Sequence, residues 1–384
     1  MTTNAGNEVD TAVTVFADDS IKELLKSGKI EDIQKIVQEG KSSRPVTASG
    51  FIQFLLVFQH FLVDAICIAC LWGPVTEFCG NTPQGWGMLA AFISLYNVLA
   101  FCTQWLTGLW CDFLKNDRIM HIVAAVALIL GAAACRLLPL YGVILIALGN
   151  SLFHVAGGRF VILNSRGKAG PLGLFVAPGA LGLYIGGIFN AFEWIFCTLL
   201  FINTVAICVR LLDVILPEEA KCRCPGKAHY LAAALVLICI ICRAASGAIP
   251  FPGKNIPEIL SWLPVLMVFA GKSLGGLAGD RWGYTAAGVL SLFSGALLLA
   301  FCSASAGYLA GQLLMNLLMP LTLWQLVKLI PESPGLAFGL AATVLVPGTW
   351  VRFSATPVNM FLLFSVVSLI CFVLVQIIIK REVV

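Results

Sequence analysis

Charge is the scarcest property of this sequence. Only 11% of its 384 residues are Asp, Glu, Lys or Arg, against about a quarter in an ordinary soluble domain. That scarcity excludes a soluble globular chain, which needs charged groups to cover its surface. A net charge of +4 says little about partners, and no nucleic acid is expected among them. It reflects mainly where the loops lie. A signal peptide is also missing: residues 1–50 are polar and hold no short apolar core beside a cleavage site. No nucleotide-binding loop, metal-ligand spacing or nucleophile–base pair is present, so the chain does not read as an enzyme.

What is abundant is apolar. Hydrophobic residues make up 59% of the chain, and the mean hydropathy of +0.93 cannot come from a single anchor. The expected class is an all-α polytopic membrane protein. Fourteen cysteines are scattered through these apolar stretches. There they behave as small hydrophobes, so neither a metal nor a disulfide is expected of them. Cys239 and Cys242 have CxxC spacing but no acidic or histidine neighbours, and Cys222 and Cys224 are the close pair in a polar loop.

Apolar windows of about 20 residues mark membrane helices. Twelve are expected, at 51–73, 86–110, 119–138, 140–163, 171–192, 194–216, 229–249, 258–278, 283–303, 306–328, 335–353 and 357–379. Ahead of them, the capping-box spacing from Ser20 to Glu23 and the apolar Ile21, Leu24 and Leu25, then Ile30, Ile33, Ile36 and Val37, predict two short amphipathic helices in a cytosolic tail over 1–50. The polar stretch PEEAKCRCPGKAH begins a linker at 217–228, between a six-helix bundle at 51–216 and another at 229–384. Lys and Arg gather on one side of the expected topology: the tail, Lys115 and Arg118, Arg166 and Lys168, the linker, Arg281, Lys328, and Lys380 with Arg381. The positive-inside rule makes that side, and both termini, cytoplasmic.

The two halves echo each other. Helix 2 ends with Gly108 and Asp112 in GLWCD, and helix 8 with Gly276 and Asp280 in GLAGD; both pairs are 168 residues apart. One offset in matching slots indicates an internal repeat, the construction of many transporters. Gly276 lets neighbouring helices approach closely. Asp280 can pair with an arginine or cap the next helix, and Arg281 anchors at the charged interface. Gly108, Asp112, Gly276, Asp280 and Arg281 are therefore candidate gating residues, not substrate contacts.

A second constellation lies in helix 1, where His60 and Asp64 are four apart and share a face. Ionisable groups inside a membrane are costly and usually face a cavity or a partner. A His and a carboxylate suit proton coupling, although an interhelical hydrogen bond would also account for His60. Helix 4 carries GNSLFHVAGGRF at 149–160. At 1.5 Å per residue, His60 lies about 14 Å and Asp64 about 20 Å from the cytoplasmic end. In the antiparallel helix 4, Arg159 lies about 10 Å in, His154 about 18 Å and Asn150 about 24 Å. Depth therefore groups His154 with His60 and Asp64 as a proton-linked centre and leaves Arg159 nearer the mouth, where an anion or a gating carboxylate would meet it. The glycines of AGG at 156–158 are expected to break helix 4.

Further polar residues lie deep in apolar runs. Arg159, Arg243 in helix 7 and Lys272 in helix 8 outnumber the one deep acid, which favours an anionic substrate. Each could instead meet a backbone carbonyl or snorkel to an interface. Asn150, and Asn316 and Gln325 in helix 10, are candidates to line the same cavity.

These residues resemble a known family. GGLAGDRWG at 275–283 is similar to the cytoplasmic loop signature of the major facilitator superfamily, with Tyr284 and Thr285 where that signature has a basic pair. HFLVD in helix 1 and GNSLFHVAGGR in helix 4 resemble the fosmidomycin-resistance-like branch, as does LIPESPGLAFGL at 329–340; Val155 stands where the branch has proline. PGALGLYIGG at 178–187 is similar to the glycine-rich motif of superfamily antiporters, or serves close helix packing. The resemblance covers roughly residues 51–380. It implies twelve transmembrane helices in two pseudo-symmetric six-helix bundles, working as a monomer in the bacterial cytoplasmic membrane. It implies a proton-driven exporter of a small organic molecule or drug, with a proton gradient in place of a cofactor. Partners would be a small-molecule substrate, protons and the lipid bilayer. A proton-coupled uptake symporter for a sugar, carboxylate or nucleoside is the first alternative, and a non-transporting receptor or scaffold the second.

Overall fold

The computed structural model describes residues 47–211, 227–248, 256–349 and 357–382. The expected amphipathic helices of the tail, and the linker up to residue 226 with Cys222 and Cys224, lie outside the described residues. Eleven helices are long and apolar enough to cross a membrane: α1 (Gly50–Cys79), α2 (Pro83–Leu114), α3 (Asp117–Leu137), α4 (Pro139–Asn164), α5 (Gly170–Ile188), α6 (Asn190–Arg210), α7 (Lys227–Gly247), α8 (Glu258–Trp282), α9 (Tyr284–Phe301), α10 (Ser305–Leu329) and α12 (Val358–Arg381). A shorter apolar helix, α11 (Pro334–Gly348), stands in the remaining slot. Each of the twelve expected spans thus has a helix, and the described residues contain no strand. This is an all-helical polytopic membrane fold of two six-helix bundles, α1–α6 and α7–α12.

Local chemistry sets the helix ends. Thr82 caps α2 by accepting from the Gly85 amide at 3.0 Å, and Pro83 fills the first turn, where no N–H is needed. Asn116 caps α3 in the same way through the Ile119 amide. Two central helices are irregular. Pro74 removes a hydrogen-bond donor from α1, and Gly73 beside it leaves helical geometry at φ −93° and ψ −105°. α2 widens by one residue per turn at Val98–Cys102.

The outward faces are apolar at helical spacing. Ile122, Val126 and Leu130 on α3, Leu290, Phe293 and Leu297 on α9, and Leu363, Val366 and Ile370 on α12 are all exposed. Three- and four-residue intervals put each set on one stripe, as a lipid-facing surface requires. The most buried spans are α1 and α4. Between the halves, α2 runs along α11 and α5 along α8. Small residues let these backbones meet. A Cβ on Gly108 would stand 2.4 Å from the Gly335 carbonyl oxygen, and one on Gly276 2.3 Å from that of Ala169. At the opposite end, the fully buried Glu193 of α6 pairs with Arg136 of α3.

The expected break in α4 is absent. The helix continues through Ala156, Gly157 and Gly158 to Asn164. In a membrane the cost of unpaired backbone outweighs the low helix propensity of glycine. The two glycines make room for rings instead: a Cβ on Gly157 would meet Phe175 at 2.8 Å, and one on Gly158 would meet Phe338 at 2.3 Å. The glycines of α5 also serve packing. Cβ atoms on Gly182 and Gly186 would stand 2.3 Å from the carbonyl oxygens of Phe61 and Ala65 in α1.

Candidate functional site

α1, α4 and α5 build the centre. One turn of α1 separates His60 from Asp64, so both point to the same side, and α4 presents His154 to them. The Nε2 atoms of His60 and His154 are 2.9 Å apart. His154 Nδ1 lies 2.9 Å from the Asn150 carbonyl oxygen, which can only accept, so that nitrogen carries hydrogen. Neutral His154 therefore accepts at Nε2 from His60. Asp64 closes the triangle, with Oδ2 3.4 Å from His60 Nε2 and Oδ1 3.7 Å from His154 Nε2. Asn150 donates to Asp64 Oδ1 at 3.1 Å. All four side chains are buried. Three titratable groups thus share one short proton network, and His60 Nδ1 has no partner.

Gly179 of α5 makes this contact possible. A Cβ there would lie 2.3 Å from Asp64 Oδ2 and 2.7 Å from His60 Nε2. Gly179 lies inside the glycine-rich PGALGLYIGG at 178–187, where nothing in the spacing sets it apart from the glycines that serve packing. The ligand atoms of His60, Asp64 and His154 lie within 4.8 Å of one another, a spacing that a metal ion could also use. Two cations across the cavity oppose that occupant. Every cysteine among the described residues is a free thiol.

The cluster forms one wall of a cavity of about 440 Å³. Arg243 of α7 and Lys272 of α8 line it too, and neither makes an ion pair among the described residues. The Arg243 Nε is buried without a partner. The cavity runs past Ile68, Leu71 and Trp72 of α1 and Ile93, Tyr96 and Asn97 of α2, beside both helix irregularities. It therefore extends toward the end opposite the basic loops.

Four residues expected to contact substrate do not line this cavity. Arg159 is 2% exposed and pairs with Asp112 at 3.1 Å and Asp117 at 3.0 Å. A guanidinium flanked by two carboxylates is held in place and does not line the cavity. Asn150 turns to Asp64 because it sits one turn from His154 on the same helix face. Asn316 donates to the Gln312 carbonyl and lines a separate recess with Arg243. Gln325 is buried away from the cavity, with both amide atoms unpartnered.

The repeated aspartates occupy matching positions between the halves. Asp112, at the end of α2, accepts from the Gly335 and Leu336 amides at the start of α11, both at 2.9 Å. Asp280, at the end of α8, accepts from the Ala169 and Gly170 amides at the start of α5, at 2.9 and 2.8 Å. Each half thus caps a helix of the other, where an anion is favoured by exposed N–H groups and the helix dipole. Asp280 caps α5 and not the next helix in its own half. Tyr284 steadies it with a hydroxyl at 2.6 Å, and Arg281 is exposed beside it. Asp117, which the sequence reading missed, belongs to the Asp–Arg pair directly after Asn116.

This arrangement of helices is the major facilitator fold, the architecture of a large class of membrane transporters. Among solved structures, the human organic anion transporter MFSD10 (TETRAN) superposes with a TM-score of 0.63 at 14% identity, over 87% of this chain and 100% of that one. The fucose:proton symporter FucP of E. coli, in its outward conformation, gives 0.60 at 13% identity over 87% and 99%. A bacterial homologue of the iron transporter ferroportin, outward-facing, gives 0.51 at 13% identity over 86% and 98%. No family model and no curated protein matches the sequence.

Proposed function

We propose that this protein is a proton-coupled secondary active transporter that carries a small organic anion by alternating access. The observation that carries the reading is the buried His60–Asp64–His154 network opening into a cavity with two unpaired cations. A scaffold or receptor has no use for such groups, whose burial is costly unless they work. His60, Asp64 and His154 would hold and pass the proton, while Arg243 and Lys272 hold the substrate's charge. The caps by Asp112 and Asp280, with the close approaches of Gly108 and Gly276, would latch the basic end and release when the halves rock. Arg159 and Asp117 would hold Asp112 in line, and Arg281 would meet the charged interface beside the second latch.

The loop distribution of Lys and Arg supports a cytoplasmic basic end, with the cavity facing outward in this state. The helix 4 residues support kinship with the fosmidomycin-resistance-like branch and, with it, export across a bacterial inner membrane. Uptake by co-transport is the second reading, favoured by the positive charge in the cavity. A thermal-shift screen of the purified chain against phosphonates, carboxylates, sugars and cationic drugs at two pH values finds the ligand class. Everted vesicles given an acid-inside gradient then separate the directions. An exchanged substrate accumulates in them and a co-transported one does not. Ligand-independent behaviour in both assays would end the transporter reading.

A further inference from the structure

The cavity's chemistry names both a ligand class and a sign of coupling. Apart from its ionisable groups, it offers Trp72, Tyr96, Asn97, Gln104 and Thr322 for hydrogen bonding. Gln104 donates to the Ala100 carbonyl and Thr322 to that of Leu318. A neutral sugar or another polyol would leave the two cations, Arg243 and Lys272, without a counter-charge. The remaining wall is aliphatic and aromatic, with Ile240, Met319, Phe338 and Leu345 among its residues. Its volume suits a drug-sized molecule, within the usual range of roughly 300–1,000 Å³. A ligand that fits has an apolar body and one acidic head, the head meeting Arg243 and Lys272.

Asp64 is the one carboxylate among the residues that line this cavity. The groups that face it are His60 and Cys67 from α1, Tyr96 from α2, and Asn150 and His154 from α4, with Lys272 of α8 and Arg243 of α7 across the space; α5 offers only Gly179. Lys272 is close enough to act electrostatically on both Asp64 and His154. An ionised Asp64 offsets the cations and repels an arriving anion. A proton on the cluster removes that negative charge and leaves Arg243 and Lys272 to the ligand. Linkage makes the effect mutual: a bound anion strengthens proton binding by the same factor. A cationic cargo would reverse the sign and give exchange.

We propose that the cavity binds an amphipathic organic anion and a proton together, so that the two cross the membrane in the same direction. This rests on the proton-coupled transport reading above. Flux can still run outward wherever the anion's own gradient exceeds the proton-motive force.

Naphthalene-2-sulfonate is a suitable probe, because its charge is permanent and it does not cross lipid as a neutral acid. Binding to the purified full chain is measured by calorimetry at pH 5.5 and pH 8.0. The expected dissociation constant is about tenfold lower at the acid value, as one unit charge acting across the cavity produces. Asp64→Asn should lose most of that dependence. Arg243→Gln should bind weakly at both pH values, with Arg243→Lys recovering part of the affinity. In proteoliposomes holding a trapped pH dye, a sulfonate gradient directed inward should acidify the lumen, whichever way the protein is inserted. Alkalinisation, or binding that is equal at both pH values or tighter at pH 8.0, would overturn co-binding. Proton movement driven by a sugar or an organic cation, with none driven by the sulfonate, would overturn the anion and leave proton-coupled transport standing. Silence with every probe, and an Asp64→Asn variant that behaves as wild type, would overturn the underlying reading instead.

Discussion

Replacing Asp112 with asparagine tests the latch at the basic end. The two carboxylate oxygens accept from the Gly335 and Leu336 amides, each at 2.9 Å. A hydrogen bond to a charged group contributes about 1.5–3 kcal/mol net, and an anion at a helix N-terminus up to about 1 kcal/mol more. Asparagine keeps the shape and one acceptor, but turns its amide toward the other N–H. The expected loss is about 2–3 kcal/mol, which moves the equilibrium between closed and open basic ends roughly 30- to 150-fold. Arg159 keeps Asp117 as a partner at 3.0 Å, so the bundle itself should hold. Spin labels at Phe113, on the outer face of α2, and Ser333, just before α11, report the gap in a cysteine-depleted background. Wild type should give one short distance, and Asp112→Asn a second, longer population. An unchanged distance distribution, with only ligand affinity altered, would refute the latch and make Asp112 a substrate contact instead.

Other substitutions probe the supporting structure. Arg159→Leu removes the cation that Asp112 and Asp117 share in a buried site and should cost about 3–5 kcal/mol of stability. The melting temperature in detergent reads that loss, and adding Asp117→Asn should recover part of it. A changed ligand affinity at unchanged stability would mean that Arg159 does serve the substrate. Gly186→Leu should be poorly tolerated because its Cβ meets the Ala65 carbonyl at 2.3 Å, whereas a Cβ at Gly187 meets nothing within 4 Å and Gly187→Leu should be accepted. Overpacking of this kind costs about 1–3 kcal/mol; equal yields and melting temperatures for the pair would contradict the α1–α5 contact. Gly179→Ala pushes on Asp64 and His60, so the pH profile of transport should shift while the folded yield stays near wild type. An unmoved profile would detach α5 from the proton centre.

Sequence and structure agree most where periodicity and depth decide the outcome. Long apolar windows located the spans, since the bilayer sets their length whatever they pack against. His60 and Asp64 share a face by spacing alone, and counting residues along antiparallel helices put His154 at their level. What stayed hidden depends on how helices rotate about their own axes. Depth alone put Arg159 near the mouth, yet its partners Asp112 and Asp117 come from α2 and from the start of α3. Asn150 was legible as a polar residue beside the cluster, but not as one facing Asp64 instead of the cavity. Gly157 and Gly158 look like helix breakers until Phe175 and Phe338 are seen to fill the space they leave. Gln325 sits in the helix that mirrors α4, and sequence position gave no sign that it lies outside the cavity.

In the proposed mechanism Asp64, held between two histidines, ties substrate movement to protons. The direct measurement compares two fluxes of Asp64→Asn in proteoliposomes. One is counterflow, the exchange of labelled for unlabelled substrate without a gradient. The other is accumulation driven by a pH gradient. Counterflow should persist and gradient-driven accumulation should disappear. An Asp64→Asn protein that still accumulates substrate against its gradient, with the pH dependence of wild type, would contradict that mechanism.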